Sequence, residues 1–247
     1  MESFMSDDTF YENARRNKSL RQAYLDSREL PCKVPMLASV TYVPQLFKDG
    51  EISTGRKALV WMKTDVEAKP EFSVNDMLEG NSPAIEVRSH LYVGARAFSE
   101  EISGFDGSLA HEMSHAGPDG LGFAHVALGI EALKNHVRYQ WRRRKMSEDD
   151  AMSSMLLLSF WDDLTTADSE IIAYRREWEY GVRNGFHQRA LDGISKRKHF
   201  YVEQALPLRR ALPSSLKSTA PSIEDAVRSG VEILRQGLGG SRDCLGV

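Results

Sequence analysis

"SLAHEMSHAGPDG", residues 108–120, sets the reading of everything around it. It holds His111, Glu112 and His115 in the order H-E-x-x-H, followed by Gly117-Pro118. The chain contains 7 His and 19 Glu among 247 residues, so roughly 0.015 accidental matches to this pattern are expected. The pattern therefore carries information. Positions i and i+4 of an α-helix differ by about 40° around the axis, which projects His111 and His115 from one face. Two imidazoles so placed can reach one metal ion at about 2.0–2.1 Å. Glu112 is offset from the pair, where its carboxylate can accept a proton from a metal-bound water. Such a site needs a further protein ligand and one coordination position left open.

Upstream, "AIEVRSHLYVG" (84–94) puts Ile85, Val87, Leu91 and Val93 on one parity and Glu86, Arg88, His90 and Tyr92 on the other. That alternation predicts a strand with one buried and one polar face. Earlier runs, "MLASVTYV" and "KALVWMK", are also strand-like and flank the turn-rich "KDGEISTG"; residues 64–83 read as loop. "SGFDGS" (103–108) reads as a turn, with Asp106 or Ser108 capping the motif helix. The helix should stop near Gly117-Pro118, since Gly suits a C-cap and Pro cannot continue a helix.

Beyond the motif, helices are expected over 121–145, 147–161 and about 166–183, and residues 1–30 read as a polar helix or helix pair. "LPLRRALPSSLKSTAPS" (206–222) is linker-like, and an amphipathic helix over 223–238 is expected to dock on the body. This gives a main domain over 1–205 and a linker with C-terminal helix over 206–247.

Composition narrows the classes. A net charge of −3, 41% hydrophobic and 27% charged residues are ordinary for a soluble globular chain and give no reason to expect nucleic-acid binding. The one basic run, Arg142 to Lys145, is followed by "SEDD" and reads as a solvated helix end before a capped new helix. Cys32 and Cys244 lie near opposite ends, so neither a disulfide framework nor a Cys-rich zinc site is visible. No stretch approaches 18 apolar residues, and the N-terminus lacks an apolar signal core. The expected location is cytoplasmic, or outside the cell by a route without a Sec signal, as for a bacterial effector. No membrane span is expected.

At His111, Glu112 and His115 the chain resembles the zincin metallopeptidases, over roughly residues 80–185. The resemblance implies an α+β fold in which a small mixed sheet precedes the motif helix, its edge strand pairing with extended substrate. Residues 84–94 are the candidate for that edge strand, and the C-terminal half is mostly helical. It also implies Zn2+ as cofactor, His111 and His115 as ligands, and Glu112 as general base toward a zinc-activated water. In the gluzincin branch the third ligand is a glutamate on a later helix. "TTADSEIIAYRREWEYG" offers Glu170, on a helical stripe with Ala173, Tyr174, Glu177 and Gly181. Small Ala173 permits close helix packing, and Tyr174 is a candidate donor to the oxyanion.

The gluzincin branch often carries an acidic residue one turn after the ligand. Here that position is Tyr174, so support for a zinc histidine must come from Asp168 or Glu177. His125 and Asp119 are the rival third ligands. The metzincin pattern fails, because Pro118 and Leu121 occupy its glycine and last histidine positions. His136, His187 and His199 read as surface or packing histidines, and Tyr180 and Tyr201 as core or surface aromatics. The expected activity is zinc-dependent hydrolysis of peptide bonds in a protein or peptide substrate. The alternatives are a zinc amidase on a non-protein amide and a non-catalytic binding protein that keeps the fold.

Overall fold

The alternation expected over residues 84–94 is realised over 88–93 in the computed structural model, which describes residues 8–34, 36–45, 60–68 and 85–211. Ser89, Leu91 and Val93 are buried, Arg88 is exposed, and His90 and Tyr92 are half-buried. In chain order the elements are α1 (Asp8–Arg16), α2 (Arg21–Ser27), α3 (Leu30–Lys33), β1 (Leu37–Val43), β2 (Val60–Ala68) and β3 (Ile85–Gly94). Four longer helices follow: α4 (Ile102–His115), α5 (Pro118–Arg142), α6 (Glu148–Arg183) and α7 (Gln188–Ala211). The architecture is α+β, with a small mixed sheet and a helical second half.

The sheet runs β1-β3-β2, and β1 pairs with β3 in parallel, from Leu37 opposite Ser89 to Val43 opposite Gly94. This corrects one expectation. Residues 84–94 do not form an edge strand: β3 is central, with β1 on one side and β2 on the other, so its backbone edges are taken. Parity reports which face of a strand is buried and says nothing about lateral neighbours.

Helix boundaries supply further corrections. α4 begins at Ile102, so "SGFDGS" lies inside the helix and the cap position is Glu101, which has an extended backbone. Asp106 is not a cap; it is buried and takes a 2.7 Å bond from Arg28 Nη1. Gly107 serves packing rather than a turn, for a Cβ there would sit 2.9 Å from the Phe186 ring. The expected break between 161 and 166 is absent, and α6 runs unbroken for 36 residues. Its Asp and Thr residues lower helix propensity without ending it, and no Gly or Pro stands between Glu148 and Tyr180. Thr165 returns its hydroxyl to Trp161 O at 2.8 Å. α5 starts at Pro118, the first-turn position that tolerates a missing N–H. α7 was not expected at all, and it carries residues 206–211 of the supposed linker, with Pro207 inside the helix. The expected helix over 223–238 lies outside the described residues.

Other expectations hold. The N-terminal helix pair is α1 and α2. After Arg142 the chain turns through Arg144 at φ 56, and Ser147 caps α6 by accepting from Asp150 N at 3.1 Å.

The chain divides into two compact units. One takes the described residues up to Asp65, then Val87–Pro118 and Ile172–Arg197; the other takes those of Val66–Glu86, Asp119–Ile171 and Lys198 onward. The core of the first is aromatic. Tyr11, Tyr24, Phe98 and Phe105 are essentially inaccessible, with ring centroids 5.2–6.1 Å apart, and they pack with Leu91 and Val93 of β3. The second buries Ile130, Leu133 and Val137 of α5 against Leu158, Trp161 and Leu164 of α6.

Candidate metal centre

His111, Glu112 and His115 fall in the last turns of α4, which ends at His115 with Ala116 as C-cap. His111 is buried, at 8% exposure, whereas Glu112 and His115 are half-buried. The two imidazoles meet edge to face at a centroid distance of 5.3 Å. α4 holds this end through buried contacts earlier in the helix: Phe105 and Leu109 enter the aromatic core, and Asp106 pairs with Arg28.

α6 supplies the remaining side chains. Ligand-capable atoms of His111, His115 and Glu170 all lie within 4.8 Å of one another. One turn on, Ala173 is fully buried, the small contact expected at that position. The Tyr174 ring lies against His111, with centroids 4.3 Å apart and planes at 57°. Two turns beyond Glu170, the buried Glu177 places Oε2 3.3 Å from His111 Nδ1.

Asp168 and Glu177 were both candidates for supporting a histidine, and the structure separates them. Asp168 bonds to Arg209, whereas Glu177 faces His111. His136 is within 3.2 Å of Gln140, and its burial lowers its pKa. His187 accepts from Arg189 N at the start of α7, and His199 pairs with Glu203 on the exposed side of the same helix. These three are surface or packing histidines, as their sequence context indicates. The side chains of His125 and Asp119, the rival ligands, lie outside the described residues.

Arg197, near the cluster, was not singled out from sequence, whereas Tyr201 was read as a core or surface aromatic. Arg197 of α7 sets Nη2 3.4 Å from Glu177 Oε1, with its guanidinium carbon 5.3 Å from the centre of the Tyr174 ring. Tyr201 is raised in pKa, first by burial and then by the negative charge of Glu170. Arg197 carried no local signal, because it stands on the helix that the pattern did not reveal. Tyr180 is raised to about 12, mainly by burial and then by Asp106, to which its phenol bonds. That makes it part of the anchor of α4, not of the metal cluster.

The donor set suits zinc. Two imidazoles and one carboxylate are the borderline nitrogen and hard oxygen donors that this ion takes in sites keeping an open position. A buried carboxylate at the far nitrogen of one ligand histidine is the usual means of fixing the ring's tautomer and direction. Comparison with protein-family models, curated proteins and solved structures finds no match.

Proposed function

We propose that this protein is a zinc metallopeptidase of gluzincin type, with His111, His115 and Glu170 as the metal ligands. The observation that carries this reading is the approach of ligand-capable atoms of those three side chains to within 4.8 Å of one another, although Glu170 follows His115 by 55 residues. Zinc, when bound, supplies Lewis-acid chemistry, acidifying water and polarising a carbonyl.

The protein's own groups do the rest. Glu177 Oε2 stands 3.3 Å from His111 Nδ1, and we assign Nε2 of that ring to the metal. Glu112, next to His111 and half-buried, is the general base: it accepts a proton from water and passes it to the leaving amine. A carboxylate is needed there only for catalysis, since a structural metal site has no use for a base. The Tyr174 ring forms a wall against His111, and its phenol is the candidate donor to the developing oxyanion. The substrate is a protein or peptide. Among the described residues no helix is long and apolar enough to cross a membrane.

The test pairs metal analysis with proteome-wide cleavage profiling of the wild type and Glu112→Gln. One zinc per chain in both proteins, with cleavage only by the wild type, is the expected result. Absence of zinc from the wild type overturns the assignment. Zinc without cleavage turns it into a binding protein.

A further inference from the structure

Arg197 closes a ring of four side chains with Glu177, Tyr174 and His111. Its Nη2 lies 3.4 Å from Glu177 Oε1, and its guanidinium carbon lies 5.3 Å from the Tyr174 ring centre. Each of those partners touches His111: Glu177 by Oε2 at 3.3 Å from Nδ1, and Tyr174 by its ring at 4.3 Å between centroids. The Glu177 side chain is 7% exposed and that of Arg197 is 53% exposed. A carboxylate as buried as Glu177 needs polar partners. Its two oxygens divide the task, one facing the imidazole and the other the guanidinium.

We infer that Arg197 is a positioning residue for His111, acting through Glu177 and Tyr174. The inference rests on the zinc reading above. The guanidinium suits this double contact, because its plane can lie over an aromatic face while an edge N–H meets a carboxylate oxygen. A lysine ammonium at the same place is a point charge; it can reach the carboxylate but cannot stack. Turning Glu177 away from Nδ1 would free the His111 ring to rotate, and moving Tyr174 would remove the wall that fixes its plane. Through these contacts α7 bears on the ligand geometry without supplying a ligand. A purely structural Arg197 would instead help α7 pack and leave the zinc affinity of the folded protein unchanged.

The experiment measures zinc affinity of the full chain by competition with a chromophoric chelator. Circular dichroism confirms the fold of each variant. Glu177→Gln should weaken zinc binding roughly 10–100-fold, the usual cost of losing a group that orients a ligand. Arg197→Gln, one contact further out, should weaken it by a fraction of that, about 3–10-fold, with Arg197→Lys falling in between. The double variant should lose less than the two single losses combined, because part of the effect of Arg197 passes through that carboxylate.

Wild-type affinity in Arg197→Gln, or losses that simply add in the double variant, would overturn the proposal while leaving the zinc reading intact. A wild type that binds no zinc fails the zinc reading and takes this inference with it. Should Arg197→Gln not fold, Arg197→Lys decides: weaker binding than wild type supports the stacked guanidinium, and equal binding rejects it.

Discussion

At the scale of the residue, the proposed ligands and the proposed base make separable predictions. His111→Ala and His115→Ala each remove a donor, so zinc affinity should fall by more than the roughly 10–100-fold typical of an outer partner. Full metal retention in both variants would reject the centre. Glu112→Gln keeps shape and donors, so it should hold zinc while losing roughly 10²–10⁴-fold in turnover. The third ligand has its own contrast. Glu170→Ala should lose affinity while His125→Ala stays near wild type, as zinc titration would read. Glu170 converges with the two histidines, and a mid-helix Glu with nearby arginines, Arg175 and Arg176, could otherwise pass for a solvated helix residue. If the two variants swap places, the gluzincin assignment fails and His125 takes the position.

At the scale of the element, close approach between segments is set by glycine. Gly181 stands in the last turn of α6, which closes with Phe186 N bonding Gly181 O at 2.9 Å and Gly185 at φ +68, the left-handed conformation that favours glycine. A Cβ at 181 would lie 2.8 Å from the Phe186 ring and 2.9 Å from Leu191. Overpacking costs about 1–3 kcal/mol, against a helix-propensity gain of at most about 1 kcal/mol, so Gly181→Ala should be net destabilising. Gly104→Ala is the control: the nearest atoms to its Cβ would be those of Glu100, at an ordinary 3.4 Å, and it should stabilise. Denaturant melts of the two variants should move in opposite directions; a shift of the same sign would reject the packing argument.

The same pair of helices shows what sequence can reveal about elements. The H-E-x-x-H spacing and the Glu170, Ala173, Tyr174, Glu177 stripe were legible because a helix repeats every 3.6 residues, so spacing alone places side chains on a face. The alternation of β3 was legible for the analogous reason. Three features were hidden because they depend on partners distant in sequence. The central place of β3 depends on β2 and β1. The helical state of "SGFDGS" depends on Arg28 receiving Asp106 and on Phe186 packing at Gly107. The role of Glu177 is fixed by His111, 66 residues earlier.

At the scale of the whole molecule, a bound metal couples chemistry to stability. The proposed ligands come from two helices, α4 and α6, whose hold on one another elsewhere rests on side-chain contacts such as Asp106 with Tyr180. An ion that binds only the folded arrangement stabilises it by mass action, about 2.7 kcal/mol when free zinc is 100 times Kd. For a chain of this size each kcal/mol is worth roughly 2–4 °C, so a chelator should lower Tm by roughly 5–10 °C. Adding zinc back should restore it. Glu112→Gln should show the same chelator shift as the wild type, because it alters neither a donor nor the fold. His115→Ala should show almost none. This pattern separates ligation from catalysis without a substrate in hand: a Tm indifferent to zinc in the wild type would mean that His111, His115 and Glu170 converge without holding a metal.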